Sequence, residues 1–410
     1  MKLIHTSDWH LGRTFHGLDM LPYQAAQLDH LVGLARTVRP AAVLVAGDVY
    51  DRAVPPVAAV EVLEGALRRL AEVAPVVVIS GNHDSATRLG FGAALMRPEI
   101  RLVTALNQVG EAVALADPAG GPGALVYPIP FLDVYDAAAR WGAEDEPLAR
   151  SHEAVLGAAM GRVRADLSRR GLAPPSQPDG GPAVVVMAHA FVSGALGSES
   201  ERDLTVGGVD RVPAAVFAGA DYVALGHLHG PQVVSGQAGQ VLRYSGAPLA
   251  FSFSEAGQVK STAVVSLGAG PPAVELVPAP VPRPLRVVAG TLAQLQAAAS
   301  DDLAGAWVKA TVTDAARPDD LTAQVRRIFP HLLQLEHVPE GFSAQAAASR
   351  VTAASDPAAV AAEFIQYAGG VPASAPELAV VDAALEAARL AVDQERGRPA
   401  AGGGNQGEKE

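Results

Sequence analysis

Five times along this chain a short apolar run stops at a cluster of aspartate, asparagine or histidine. The plainest case is Val76–Ile79, four apolar residues without a break, followed by Ser80-Gly81-Asn82-His83-Asp84. An uninterrupted apolar run of that length reads as a strand buried on both faces. In open α/β sheets, ligands bind outside the carboxyl ends of such strands. Gly81 suits a sharp exit from the strand, because glycine takes almost any backbone angle at little steric cost. The pattern recurs where Lys2–Thr6 runs into Ser7-Asp8-Trp9-His10-Leu11-Gly12 and Ala42–Ala46 into Gly47-Asp48-Val49-Tyr50-Asp51. It recurs again where Ala183–Ala188 meets His189 and Asp221–Leu225 meets Gly226-His227-Leu228-His229.

Helical patterns lie between these strands. Leu28, Val32 and Ala35 share a face of a helix from about Gln24 to Arg36. Pro55 and Pro56 open a second helix, in which Val60, Leu63, Leu67 and Leu70 step by three and four. Leu156, Met160, Val163 and Leu167 mark a third. Alternating strands and helices predict a layered α/β domain with its sheet covered on both sides. Short strands near Leu242–Tyr244, Thr262–Leu267 and Ala273–Val277 complete it, so the domain spans 1–278. The loop Pro174–Pro182 is rich in proline and glycine.

The segment Val277-Pro278-Ala279-Pro280-Val281-Pro282-Arg283-Pro284 reads as a stiff linker. After it, strands at Leu285–Val288, Trp307–Thr313 and Leu332–Val338 alternate with helices carrying Leu292 and Leu295, then Leu321, Val325 and Ile328. This predicts a small α+β domain over 284–340. Residues 355–395 read as a helical extension with the stripe Leu378, Val381, Leu385, Ala388 and Val392. The Gly-rich, polar end, 397–410, is expected to be disordered.

Composition narrows the chemistry. The 410 residues are 49% hydrophobic and 18% charged, as in a globular protein with a generous core. There is no cysteine, which excludes thiolate metal sites and disulfides. A formal net charge of −12 argues against a broad basic footprint for nucleic acid. Binding of nucleic acid must then rest on a local site, on metal ions or on a partner. Neither a secretory leader pattern nor an apolar run of membrane-spanning length is present in the sequence, so a cytoplasmic protein without membrane contact is expected.

Asp8, His10, Asp48, Asp51, Asn82, His83, Asp84, His189, His227 and His229 stand at the five strand ends, and hold five of the chain's 11 histidines. Imidazole and carboxylate donors without sulfur suit Mn, Fe, Zn or similar ions. Two such ions can activate a water and hold a phosphate, provided that a carboxylate bridges them, and Asp48 is the natural candidate. A lone Asp-x-His is usually a turn with a satisfied histidine; five clusters in register carry the weight. His5 within its strand reads as structural, and Trp9 as a wedge beneath the loop rather than a base-stacking surface.

Asp8-x-His10, Gly47-Asp48-x-x-Asp51, Gly81-Asn82-His83-Asp84, His189 and Gly226-His227-x-His229, in this order, resemble the five motifs of the calcineurin-like metallophosphoesterases. The segments His5–Gly12, Ala46–Asp51 and Arg243-Tyr244-Ser245-Gly246-Ala247-Pro248 resemble the SbcD family, the nuclease subunits of bacterial SbcCD complexes. The likeness runs from Met1 to roughly Val338. It implies a β-sandwich flanked by helices, with a small α+β cap and a helical extension. It implies two divalent ions, Mn²⁺ with Mg²⁺ as the other possibility, one held by Asp8, His10, Asp48 and His229, the other by Asp48, Asn82, His189 and His227. His83 would donate a proton to the leaving oxygen or steady the transition state. Asp51, where archaeal and eukaryotic relatives have histidine, would hold His83 or a substrate-side group. Asp84 would support its loop.

The resemblance further implies 3′-to-5′ exonuclease action on double-stranded DNA, dependent on ATP hydrolysis by an SbcC-type SMC-like ATPase, and endonuclease action on single strands and hairpins. It implies a homodimer through the helices after the second and third motifs (Val60-Leu63-Leu67-Leu70, and Leu89, Phe91 and Leu95), residues that would otherwise serve the core. The stripe Leu378–Val392 would dock on the ATPase or pack back on its own domain. A protein phosphatase or small-molecule phosphodiesterase with the same ions is the alternative; it has no need of the cap or the helical tail.

Overall fold

In the computed structural model of the chain, successive residues of each apolar run enter different cores. Residues 1–143, 145, 147–172, 181–201, 211–268, 270–340, 356–369 and 372–396 are described. The expected tail 397–410 and most of the Pro174–Pro182 loop lie outside them. Two compact units are present, Met1–Arg286 and a second beginning at Val287.

The first unit opens with strands β1 (Lys2–Thr6), β2 (Thr14–Phe15), β3 (Leu18–Asp19), β4 (Ala42–Ala46), β5 (Val76–Ile79) and β6 (Ile100–Val103). Helices α1 (Leu21–Val38) and α2 (Val57–Ala71) and the single turn α3 (Ala86–Leu89) accompany them. There follow β7 (Val113–Leu115), β8 (Ala124–Ile129), α4 (Val134–Trp141), α5 (His152–Arg169) and β9 (Ala183–His189). Then come β10 (Tyr222–Gly226), β11 (Gln232–Val234), β12 (Val241–Tyr244), β13 (Ser261–Ser266) and β14 (Ala273–Pro278).

One sheet has the order β14-β13-β1-β4-β5-β6 and the other β11-β12-β10-β9-β8-β7. β1, β4, β5 and β6 are parallel, as are β8, β9, β10 and β12. The central ligand-bearing strands of both sheets therefore end on the same side of their sheet. The two sheets pack face to face. Ala42, Leu44, Ala46, Val77 and Ile79 of one share a core with Val126, Val185, Met187 and Ala224 of the other. The intervening residues Val43, Val45, Val76 and Val78 face α1 and α2, and Val184, Val186 and Ala188 face α5. Both faces of each strand are apolar because each meets a core, which is why the runs show no polar alternation.

Helix α2 buries Leu63, Leu67 and Leu70, each stabilising by about 1.5–3 kcal/mol if fully removed from water. Val57 and Val60, in its first turn, are 75% and 43% exposed. The helix expected after Asp84 is shorter than its pattern suggests. Ser85 caps α3, which stops at Gly90, and a separate 3₁₀ turn spans Ala93–Leu95. Gly92, at φ +74°, supplies the left-handed step between them. Leu89 is buried while Phe91 and Leu95 are 85% and 91% exposed. The expected linker is partly strand, since Val277 and Pro278 belong to β14, an edge position that tolerates proline.

A three-stranded sheet, β15 (Leu285–Gly290), β16 (Trp307–Val312) and β17 (Leu332–His337) in that order, lies in the second unit except for the first two residues of β15. Helices α6 (Leu292–Ala297), α7 (Asp301–Ala304) and α8 (Leu321–Ile328) belong to the same unit, with Leu295, Leu321 and Val325 in its core. Helix α9 (Pro357–Gly369) packs on α10 (Ala375–Arg396), which carries Leu378, Val381, Leu385 and Ala388 of the expected stripe. No helix among the described residues is long and apolar enough to cross a membrane.

A buried carboxylate ties α5 to β8. Asp166 accepts from Tyr127 Oη at 2.9 Å, Arg170 Nε at 2.6 Å and Arg169 Nη2 at 3.0 Å. Burial pushes its carboxyl up, but these donors outweigh burial and hold it below the usual range. Such a group stabilises the fold above its unfolded-state value, about 3.9, and that contribution is lost as pH falls through the folded-state value. Asp166→Asn is therefore expected to melt lower than wild type at pH 7, with the gap closing as pH drops below about 4. A pH series of thermal melts checks this, and a gap that persists at low pH refutes it.

Candidate metal centre

The loops leaving β1 and β4 lie side by side. Asp8 N donates to Gly47 O, His10 N to Asp48 O and Leu11 N to Val49 O, at 2.9–3.0 Å. This second ladder carries Asp8, His10 and Asp48 beyond the sheet in register. It also forces them into the left-handed region, with φ of 55°, 46° and 49°. His227 has φ 107°. Thus four of the seven non-glycine residues with positive φ, among those described, are expected ligands, and strain of this kind gathers where function over-determines the backbone.

Gly81 serves closeness rather than backbone freedom, since its φ is not among the positive ones. A Cβ there would collide with the Asp48 carboxylate and its backbone nitrogen. Asp84, stapling the same loop, accepts from Gly81 N at 2.9 Å, Val49 N at 3.1 Å and Tyr50 N at 2.9 Å. Burial, then Asp48, pushes the Asp84 carboxyl up to about 7 despite these three donors.

Ligand atoms of Asp8, His10 and His229 lie within 4.8 Å of one another, as do those of His10, Asp48 and His83, and those of Asp48, His189 and His227. All are buried. Asn82 joins the last group through its Oδ1, 2.9 Å from His189 Nε2 and 3.3 Å from His227 Nδ1. Asp48 and His10 each belong to two groups, so the three form one continuous cluster.

The donor set fits cations. His10 Nε2 and His229 Nε2 face each other at 3.0 Å, and two ring lone pairs at that distance repel unless a proton or a metal ion stands between them. His189 Nδ1 lies 2.9 Å from Ala46 O, so its proton points there and Nε2 turns to Asn82 and to Asp48 Oδ2 at 3.4 Å. Burial lowers His189, but the Asp48 and Asp8 carboxylates raise it to about 9. The metal-free chain thus holds a proton where a cation would serve. Burial raises the Asp8 carboxyl to about 6 although Ser7 Oγ donates to it at 2.5 Å. The His227 backbone also donates to Asp8, at 3.0 Å.

Asp51 meets His83 through its backbone, with His83 Nδ1 2.7 Å from Asp51 O. Its carboxylate stands 3.8 Å from His10 Nδ1 and 3.7 Å from Arg13 Nε. Arg13 also donates to Ser200 O at 2.9 Å and covers the Phe251 ring, so its charge is engaged within the chain. Trp9 is a wedge, 2% exposed, with Nε1 donating to Thr6 Oγ1. His5 is buried in the sandwich, 2.9 Å from Tyr222 Oη.

Sequence reasoning missed Gln24, Ser200, Glu201, Glu255 and Lys260. Gln24, on α1, braces the first loop by donating to His10 O at 2.6 Å and accepting from Gly12 N at 3.0 Å. The other four surround His229. They sit in stretches such as Phe251-Ser252-Phe253-Ser254-Glu255 that match no ligand pattern, and only the burial of a charged pair marks them.

Residues 1–231 match the family model described as calcineurin-like phosphoesterase, and residues 281–368 that described as type 5 capsule protein repressor C-terminal domain. The chain is 34% identical over 284 residues to the D subunit of nuclease SbcCD from Bacillus subtilis strain 168, spanning 66% of this chain and 67% of that one. It is 33% identical over 300 residues to the protein of the same name from Escherichia coli K12, spanning 72% and 73%. With both domains matched and the ligand cluster assembled at the strand ends, the chain belongs to the calcineurin-like phosphoesterase family, in its SbcD branch.

Proposed function

We propose that this chain is the metal-dependent nuclease subunit of an SbcCD-like complex, hydrolysing DNA phosphodiester bonds with two divalent ions, Mn²⁺ in preference to Mg²⁺. The observation that carries the reading is the continuous buried cluster in which Asp48 joins one ligand group to another, in a chain similar to nuclease subunits over about 70% of its length. Asp8, His10, Asp48 and His229 would hold one ion, and Asp48, Asn82, His189 and His227 the other. Bound there, the ions would supply positive charge for the phosphate and activation of the attacking water.

The chain's own residues do the rest. His83 directs Nδ1–H at the Asp51 carbonyl, so Nε2 is the ring atom that passes a proton to the leaving oxygen. Its backbone N–H donates to Asp48 Oδ1 at 2.9 Å, which fixes its distance from the bridging carboxylate. Asp51 thus acts on His83 through its carbonyl, and its carboxylate faces His10 and Arg13. With net charge −12, the chain attracts DNA only where cations or a partner reverse the local field.

The partner in this reading is an SbcC-type SMC-like ATPase in the cytoplasm, docked on α9 and α10, with the domain over 284–340 positioning DNA. Activity comprises 3′-to-5′ exonuclease action on duplexes, driven by the ATPase, and endonuclease action on single strands and hairpins. Val60, Phe91 and Leu95 leave an apolar patch beside α2 that water does not favour, and it is assigned here to contact with a second copy of the chain. Phe91→Glu is expected to turn a dimer into a monomer by light scattering, without loss of thermal stability, because Phe91 is 85% exposed. A variant that stays dimeric removes this patch from the interface.

Cleavage of a labelled duplex and a hairpin with Mn²⁺, with and without the ATPase, tests the whole reading. Metal-loaded protein that cuts neither DNA under either condition overturns it.

A further inference from the structure

Four buried side chains, His229 among them, form a chain of donors and acceptors whose direction can be worked out. Ser200, Glu255, Lys260 and His229 are 7%, 1%, 3% and 1% exposed. Lys260 Nζ donates to His229 O at 2.9 Å, to Gln258 Oε1 at 2.8 Å and to Glu255 Oε2. All three ammonium protons are placed, and Oε2 is committed to the charge. The other oxygen, Oε1, accepts from Phe251 N at 3.1 Å and from Ser200 Oγ at 2.6 Å.

A carboxylate only accepts, so Ser200 must spend its single proton on Glu255. Its oxygen is then left to accept, from Ser198 Oγ at 2.8 Å and from His229 Nδ1 at 2.7 Å. His229 therefore carries its proton on Nδ1, and Nε2, the atom facing His10, keeps its lone pair for a ligand. Glu201 Oε1 takes the backbone N–H of His229 at 2.7 Å, which anchors the same residue from the other side.

We propose that Glu255 is a positioning residue: pinned by Lys260 and acting through Ser200, it fixes the ring proton of His229 on Nδ1 so that Nε2 can bind a metal ion. The inference rests on the reading of His229 as a ligand. Its physical content is polarity, since a hydroxyl relays whichever direction its stronger partner imposes. Groups that orient a metal-binding imidazole in this way typically govern metal affinity by 10–100-fold.

Glu255→Gln tests the polarity with almost no change of shape. The Lys260 ammonium opposes an amide NH₂ more strongly than the single Phe251 N–H does, so the amide oxygen takes the Oε2 place and the NH₂ points at Ser200, giving up the Phe251 bond. Ser200 must then accept from Gln and donate to His229 Nδ1, which moves the ring proton to Nε2. In E255Q/K260M the ammonium is gone, the amide can turn over, and the original direction is restored.

The experiment is imidazole ¹H–¹⁵N correlation NMR on the full-length, metal-free chain, with calorimetric titration of Mn²⁺. Wild type is expected to show the Nδ1–H form of His229 and to bind two Mn²⁺. E255Q should show Nε2–H and lose about 10–100-fold in affinity for one ion only, and E255Q/K260M should recover both. A general packing role for Glu255 would not be rescued by the second substitution. Retention of Nδ1–H in E255Q overturns the proposal; if E255Q does not fold, E255A/K260M removes the buried charge pair together, including the carboxylate oxygen 3.6 Å from His229 Nδ1, and an unchanged Nδ1–H signal there is the overturning result. Wild type that binds no Mn²⁺ would sink the metal-centre reading instead, and the proton position in metal-free protein would still decide the role of Glu255.

Discussion

His83→Ala is expected to lower DNA cleavage by about 10²–10⁴-fold, the range for removing a general acid, while two Mn²⁺ remain bound. The local structure allows that separation. The contact that His83 makes to Asp48 runs through its backbone N–H, 2.9 Å from Oδ1, and alanine keeps it. The imidazole reaches Asp51 O on the far side, so its loss leaves the Asp48 carboxylate in place. A competing role is visible in the same geometry, since His83 also groups with His10 and Asp48 within 4.8 Å. Metal content decides between them. Single-turnover cleavage beside elemental analysis should show lost rate with intact metal; loss of an ion along with the rate would make His83 a ligand and end its assignment as proton donor.

Asp48→Asn is expected to be more damaging, removing cleavage by about 10³-fold or more and weakening both ions together. Asp48 contributes atoms to two of the three ligand groups, whereas Asn82 touches only the histidines of one. Asn82→Ala should therefore weaken a single ion, and the contrast between the variants tests the bridge. A second readout needs no metal. Asp48 is the foremost of the groups that hold His189 up near 9 against burial, so the His189 imidazole should titrate lower in Asp48→Asn. An NMR titration in which His189 does not move, or a variant that still binds two ions at wild-type affinity, would remove Asp48 from the bridging position.

Much of this centre is legible in the order of residues alone. The five apolar runs are strands because each is too short for a buried helix and is closed by residues that strands shed at their ends. Asp8, His10, Asp48, Asn82, His189, His227 and His229 announce themselves by donor chemistry at those ends, and they do converge. What misleads is local pattern without tertiary context. Leu89, Phe91 and Leu95 keep helical spacing, yet Gly90 and Gly92 divide them between a single turn and a 3₁₀ turn. Gly81 at a strand end suggests backbone freedom, and its role is to leave space beside Asp48. The family likeness offers Asp51 as a hold on His83 or on a substrate-side group, and only the structure shows that the contact with His83 runs through the Asp51 carbonyl.

The sequence by itself determined the layers and the ligand types, because short unbroken apolar runs and donor chemistry are properties of a residue and its near neighbours. Only the tertiary structure decided which loops lie against each other, and with them the left-handed backbone at Asp8, His10 and Asp48. It alone revealed the supports of His229, since Ser200, Glu255 and Lys260 come from segments with no shared periodicity. The reason is physical. A strand or helix is stabilised by contacts at fixed short spacing, which composition along the chain must encode, whereas a buried polar network is satisfied by partners distant in sequence. Its logic can be read only where those partners meet.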